Sequence, residues 1–136
     1  MSFEIHERER EGVKLFDVSG RLIVGQSSGV LRDRIQKALD AGDRNLVLNL
    51  AGVDYIDSTG LGTMVLCYRF AQNAGGVLKL LKLNRRELEL LVLTKLTTIF
   101  DIYNDEQDAL NSFYPDREIK KFDILSFIKQ SREEGM

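Results

Sequence analysis

Apolar and polar residues alternate at the start of the chain. Phe3 and Ile5 stand among polar neighbours, and Val13-Lys14-Leu15-Phe16-Asp17-Val18 follows across the turn-like pair Glu11-Gly12. A period of two with so short a connection predicts a β-hairpin. After Ser19-Gly20, the apolar run Arg21-Leu22-Ile23-Val24 leads into Gly25-Gln26-Ser27-Ser28, where a hydroxyl is expected to cap a helix. Val30, Leu31, Ile35, Ala38 and Leu39 then recur at helical spacing up to Ala41-Gly42, predicting an amphipathic helix of about three turns.

Leu46-Val47-Leu48-Asn49-Leu50 is nearly continuous in apolar character, between Asp43-Arg44 and Gly52. Such a run suits a central strand covered on both faces. A second helix is expected from Gly60 to Ala74, ended by Gly75-Gly76, and a strand over Val77–Leu83. Arg85–Leu93 reads as a helix with Leu88, Leu91 and Val92 inward, Ile99–Tyr103 as a short strand, and Asp105–Phe113 as a last helix with Ala109 and Leu110 inward. Alternating β and α elements after a hairpin predict an α/β fold, a mixed sheet with helices packed on it. Pro115, the single proline, marks a boundary: residues 1–114 form the domain and 115–136 a C-terminal extension. In the extension, Ile124, Leu125 and Ile128 are placed for a helix that packs on the domain or on a second copy, with Phe122 beside it.

Composition mainly removes options. The 136 residues carry 19 Lys and Arg against 21 Asp and Glu, a net charge of −2, so no basic excess favours nucleic acid. One Cys and one His cannot form a disulfide or a Cys/His metal cluster, and neither metal nor cofactor is expected. His6 lies in the charged run His6-Glu7-Arg8-Glu9-Arg10-Glu11, read as a solvated strand end, and no nucleophile accompanies it. No signal-like or membrane-length apolar run occurs, so the expectation is a cytoplasmic protein without membrane insertion. Cys67 is read as a small buried hydrophobe. Arg32, Arg34 and Lys37 are read as the solvated outer face of the first helix, and Arg85-Arg86 as a helix start.

The informative segment joins the central strand to the second helix: Asn49-Leu50-Ala51-Gly52-Val53-Asp54-Tyr55-Ile56-Asp57-Ser58-Thr59-Gly60-Leu61-Gly62. Asp57 or Ser58 is suited to cap the helix, and Gly60 and Gly62 leave its first turn unobstructed. A hydroxyl there stands at the positive end of the helix dipole, and a phosphate on it would bring about −1.5 to −2 charges. Taken alone, Asp-Ser-Thr-Gly is most simply a cap. Catalytic patterns are not met: a nucleophile elbow needs a glycine where Ile56 stands, and no Gly-Lys-Ser/Thr ending exists for a phosphate-binding loop.

Leu48-Asn49-Leu50 followed by Asp57-Ser58-Thr59-Gly60-Leu61-Gly62, with Val18-Ser19-Gly20-Arg21-Leu22 before the first helix, resembles the STAS domain of bacterial anti-sigma factor antagonists. The resemblance runs from about Phe3 to Phe113. It implies a STAS-like mixed β-sheet with helices packed mainly on one side, here carrying a helical C-terminal extension. It also implies a non-enzymatic partner switch. The unphosphorylated protein binds an anti-sigma factor serine kinase and releases a sigma factor, phosphorylation at Ser58 breaks the complex, and a phosphatase resets it. By position, Ser58 matches the phosphoacceptor, with Thr59 as the second hydroxyl, and Asp57, Thr59, Gly60, Leu61 and Gly62 match the partner-binding surround. Two departures stand out. Ile23 occupies a place often acidic in antagonists, and Thr94-Lys95-Leu96 lacks the glycine common after the third helix. The same fold also implies an alternative, an accessory STAS subunit of a lipid-transport complex or a stressosome-like assembly. The extension, without counterpart in minimal members, leaves room for a homodimer.

Overall fold

The computed structural model describes residues 3–134. Strand β1 (Glu4–Arg10) and strand β2 (Val13–Leu22) form the expected hairpin, turning at Glu11-Gly12, both with positive φ. Helix α1 (Gln26–Asp40), strand β3 (Asn45–Ile56), helix α2 (Ser58–Asn73), strand β4 (Val77–Leu81) and helix α3 (Arg85–Leu93) follow. A 3-10 turn (Leu96–Thr98), strand β5 (Ile102–Tyr103), helix α4 (Glu106–Asn111) and helix α5 (Ile124–Glu134) complete the order. The five-stranded sheet is ordered β1-β2-β3-β4-β5, with β1 antiparallel to β2 and the other pairs parallel.

Side-chain alternation assigns the two faces. Phe16 and Val18 of β2, Leu46, Leu48 and Leu50 of β3 and Leu78 and Leu80 of β4 bury against Leu31 and Ile35 of α1, Met64 and Cys67 of α2 and Leu88 and Leu91 of α3. On the opposite face Val13, Leu15, Val47 and Leu81 meet Ala109 and Leu110 of α4. Apolar residues on both faces of β3 are what a doubly covered strand requires. Helices thus lie mainly on one side, with the short α4 on the other. Arg8 ties that second face together, pairing with both Asp17 and Glu106, and Asn49 donates to Asp17 at 2.8 Å. The charged run around Arg8 is therefore more than a solvated end. Arg10 also meets Glu106, and Glu7 bonds Arg34, which anchors α1 to β1 instead of solvating its outer face.

Several boundaries differ from the sequence-based expectation, each for a local reason. β3 does not stop at Gly52 but runs on to Ile56, because the pairing with β2 shifts register between Asp17 and Ser19. A Cβ at Gly52 would lie 2.9 Å from the Ser19 Cβ, so glycine accommodates the bulge and the strand continues. β4 ends at Leu81 because Lys82 turns left-handed, and β5 is only Ile102–Tyr103 because the Ile99 and Phe100 N–H groups bond back to the Leu96 carbonyl of the 3-10 turn. Lys95 itself adopts the left-handed conformation (φ 61°) that a glycine commonly fills. Asp105 caps α4 from outside the helix.

The buried stripe of α2 is Gly60, Thr63, Met64, Cys67 and Ala71. Cys67, read from the sequence as a small buried hydrophobe, is at its centre, and burial pushes its thiol up to about 12. Leu66 faces out. At the start of α3 a capping box closes: Asn84 accepts from the Glu87 N–H, and the Glu87 carboxylate accepts from the Asn84 N–H. Glu87 is only 4% exposed, and its second carboxylate oxygen has no partner among the described residues. Burial, with Asp54 nearby, raises its pKa to about 7.

The extension crosses to α3, where Arg132 pairs with Glu89. Ile128 is 8% exposed and belongs to the main core, with Phe122, Ile124 and Phe127 packed against it. Leu125, expected to point inward with Ile128, is 69% exposed, because the inner stripe of α5 is Ile124, Phe127 and Ile128.

Candidate functional site

Parallel strands β2 and β3 end side by side, with Leu22 opposite Ile56, and the loops that leave them meet at Asp57. The Asp57 N–H donates to the Leu22 carbonyl. One of its carboxylate oxygens accepts from the Gly60 N–H at 2.8 Å, capping α2, and the other accepts from the Val24 N–H at 2.9 Å. These backbone bonds, first Gly60 and then Val24, hold the Asp57 carboxyl below the usual carboxylate range. Asp57 is thus both a helix cap and a clasp between the two loops.

Serines 27 and 28 complete the clasp in a way the sequence did not disclose. They do not cap α1, whose N-cap is Gly25 without a side-chain bond. Both lie buried in its first turn and turn back to Ile23. The Ser27 hydroxyl accepts from the Ile23 N–H and donates to its carbonyl, and the Ser28 hydroxyl donates to the same carbonyl at 2.8 Å. Hydroxyls after a loop glycine suggest a cap. Only the tertiary position of Ile23 shows that its backbone needs them more.

On this frame Ser58 is the first residue of α2 and is exposed, as is Thr59, whose carbonyl accepts from the Thr63 hydroxyl. The two glycines differ. Gly60 is buried against β2, and a Cβ there would overlap the Leu22 carbonyl. Gly62 faces open space, so nothing in the fold requires a glycine at that position. Leu61 is half-buried against the core. Near the Asp57 clasp two large apolar side chains are exposed, Val24 at 66% and Tyr55, and the Arg21 guanidinium lies over the Tyr55 ring at 5.1 Å. The sequence-predicted residues 57–62 therefore sit together at one loop and helix start. Val24, Tyr55 and Arg21 join them, and only the strand pairing made that visible. Chemically the site offers a solvent-facing hydroxyl at a helix N-terminus, directly after a carboxylate held by two backbone N–H groups.

The model for the STAS domain matches residues 4–109. The chain belongs to the STAS domain family. It is 32% identical over 102 residues to the anti-sigma-B factor antagonist of Bacillus subtilis (strain 168), a match spanning 75% of this chain and 92% of that protein. It is 28% identical over 111 residues to the anti-sigma F factor antagonist of Paenibacillus polymyxa, spanning 81% and 94%. Among solved structures, an anti-sigma factor antagonist from Mycobacterium paratuberculosis superposes with a TM-score of 0.70 at 22% identity, covering 82% of this chain and 93% of that one. The phosphorylated form of the Bacillus cell fate determinant SpoIIAA gives 0.63 at 17%, covering 82% and 99%. These superpositions show the STAS fold. Helix α5 lies beyond the matched STAS residues. Among the described residues, no helix is long and apolar enough to cross a membrane.

Proposed function

We propose that this STAS protein is an anti-sigma factor antagonist switched at Ser58. In its unphosphorylated form it binds an anti-sigma factor kinase and so frees a sigma factor. Phosphorylation of Ser58 ends that complex, and a phosphatase restores it. The observation that carries the reading is the placement of Ser58: an exposed hydroxyl on the first turn of α2, directly after the Asp57 clasp and beside the exposed Val24 and Tyr55. The names of the curated relatives point the same way. A dianion there would put charge beside exposed apolar side chains without disturbing the core, which is the energetic requirement of a binding switch.

The test uses the full chain as bait in its own cells, followed by incubation of the captured kinase with ATP and intact-mass and site mapping. One phosphate on Ser58, absent from Ser58→Ala, is expected. Equal transfer to Ser58→Ala, or capture of no such kinase, overturns the reading. An ABC ATPase captured in its place would favour an accessory role, which the extra helix α5 and the apolar Ile23 allow.

A further inference from the structure

An open groove is lined by Phe3, Ile23, Val24 and Val30, with Gln26 and Ser27 as its neutral polar members and Arg21 as the one charged side chain among the described residues; Val24 joins it to Asp57, the residue before Ser58. Many arginines here are committed elsewhere: Arg8 to Asp17 and Glu106, Arg34 to Glu7, Arg117 to Glu11, Arg132 to Glu89. Arg21 is different. It is exposed, rests over the Tyr55 ring, and its field reaches Asp57, whose carboxylate oxygens are already engaged by backbone N–H groups. A guanidinium stacked on an aromatic keeps its charge and its hydrogen-bonding edge available, and in a groove with apolar walls it attracts a carboxylate more strongly than in open water.

We propose that Arg21 anchors a carboxylate of the docking partner, an acidic residue on an apolar segment that lies in this groove, and that a phosphate on Ser58 competes for the same guanidinium. The inference rests on the proposed phosphorylation switch and names the partner chemistry that the switch acts on. Charge complementarity selects the occupant, since Arg21 is the one charged side chain among the described residues that line the groove and its other walls are apolar or neutral. Register gives the competition its geometry. Arg21 lies opposite Tyr55 in the β2–β3 ladder, Tyr55 is three residues before Ser58, and the strand ends are held by Asp57. A phosphate on Ser58 therefore enters the field that Asp57 already feels. Phosphorylation then acts twice, adding negative charge that repels the partner's acid and withdrawing the cation that held it.

Two measurements test this on the full chain. In the first, phosphoserine is installed at position 58 during translation and its second ionisation is followed by phosphorus NMR. With Arg21 in place, the midpoint is expected about half a unit lower than in Arg21→Gln, since exposure screens the pair, with Arg21→Lys close to wild type. Identical midpoints in all three overturn the competition. In the second, binding of the captured kinase to the unphosphorylated chain is measured. Arg21→Glu is expected to weaken it about tenfold or more, and reversing the charge of the facing acid on the kinase is expected to restore it. A kinase that phosphorylates Ser58 yet binds Arg21→Glu as tightly as wild type overturns the anchor and leaves the switch standing. Absence of Ser58 phosphorylation overturns the switch, and the NMR midpoints still decide whether Arg21 meets the phosphate.

Discussion

Glu87 is a buried carboxyl with one bonded oxygen and one that lacks a partner among the described residues, and it makes stability depend on pH in a calculable way. Its pKa in the folded state stands at about 7 against an ordinary 4.5, so the fold prefers the protonated form. That preference stabilises fully below pH 4.5 and is lost as pH rises through 7. The difference, at about 1.4 kcal/mol per pH unit, amounts to at most about 3 kcal/mol. Glu87→Gln keeps an oxygen for the Asn84 N–H and removes the titration. The variant should therefore gain on wild type by up to about 3 kcal/mol between pH 4.5 and pH 8, equivalent to about 10 °C in Tm for a chain this size. A constant offset from the buried amide does not affect this slope. Urea unfolding of both proteins at half-unit pH intervals reads it directly. Parallel curves of unfolding free energy against pH would show that Glu87 does not carry a buried charge at neutral pH. Below pH 4 the slope reverses in both proteins, because Glu106, held near 2 chiefly by its bond to Arg8, and Asp17 lose stabilising charge as they protonate.

The glycines of the helix start should separate cleanly in thermal melts. Gly60→Ala drives a methyl into the Leu22 carbonyl and should cost several kcal/mol, whereas Gly62→Ala meets no atom and should be neutral or stabilising by up to about 1 kcal/mol. If the two variants melted alike, the close approach of α2 to β2 would be wrong. In the extension, Ile128→Ala should cost about 2–4 kcal/mol and Leu125→Ala almost nothing, since one is in the core and the other faces out. Chemical denaturation of both variants tests this, and comparable losses would mean that α5 packs on another face.

The legibility of the fold follows the range of the forces involved. β1, β2, α1, α2 and α3 were readable because each carries its own period or terminates at its own turn, as at Gly75-Gly76. The continuation of β3 through Gly52 was not, because the reason for it lies in Ser19 of a neighbouring strand. Asp57 as a cap was local information, whereas its second bond, to Val24, joins residues 33 positions apart. Arg34 and the run around Arg8 read as solvated, since sequence does not show that packing brings Arg34 of α1 to Glu7 of β1 and Glu106 of α4 to Arg8. Glu87 is not legible for a related reason. A capping glutamate on a helix start is ordinarily exposed, and only the packing of α3 over the sheet buries it.

The three hydroxyl and carboxylate side chains that lace the strand ends also bear on thermodynamics of association. Asp57, Ser27 and Ser28 bond the backbones of Val24 and Ile23, so the loop that walls the groove is ordered before any partner arrives. Binding there need not draw on interaction energy to immobilise that loop, and the complex keeps more of it as affinity. It also follows that a charge placed on Ser58 meets a frame with little freedom to relax around it. Release of a partner would then come from a changed potential over an unchanged shape, and could be as fast as the phosphate transfer that triggers it.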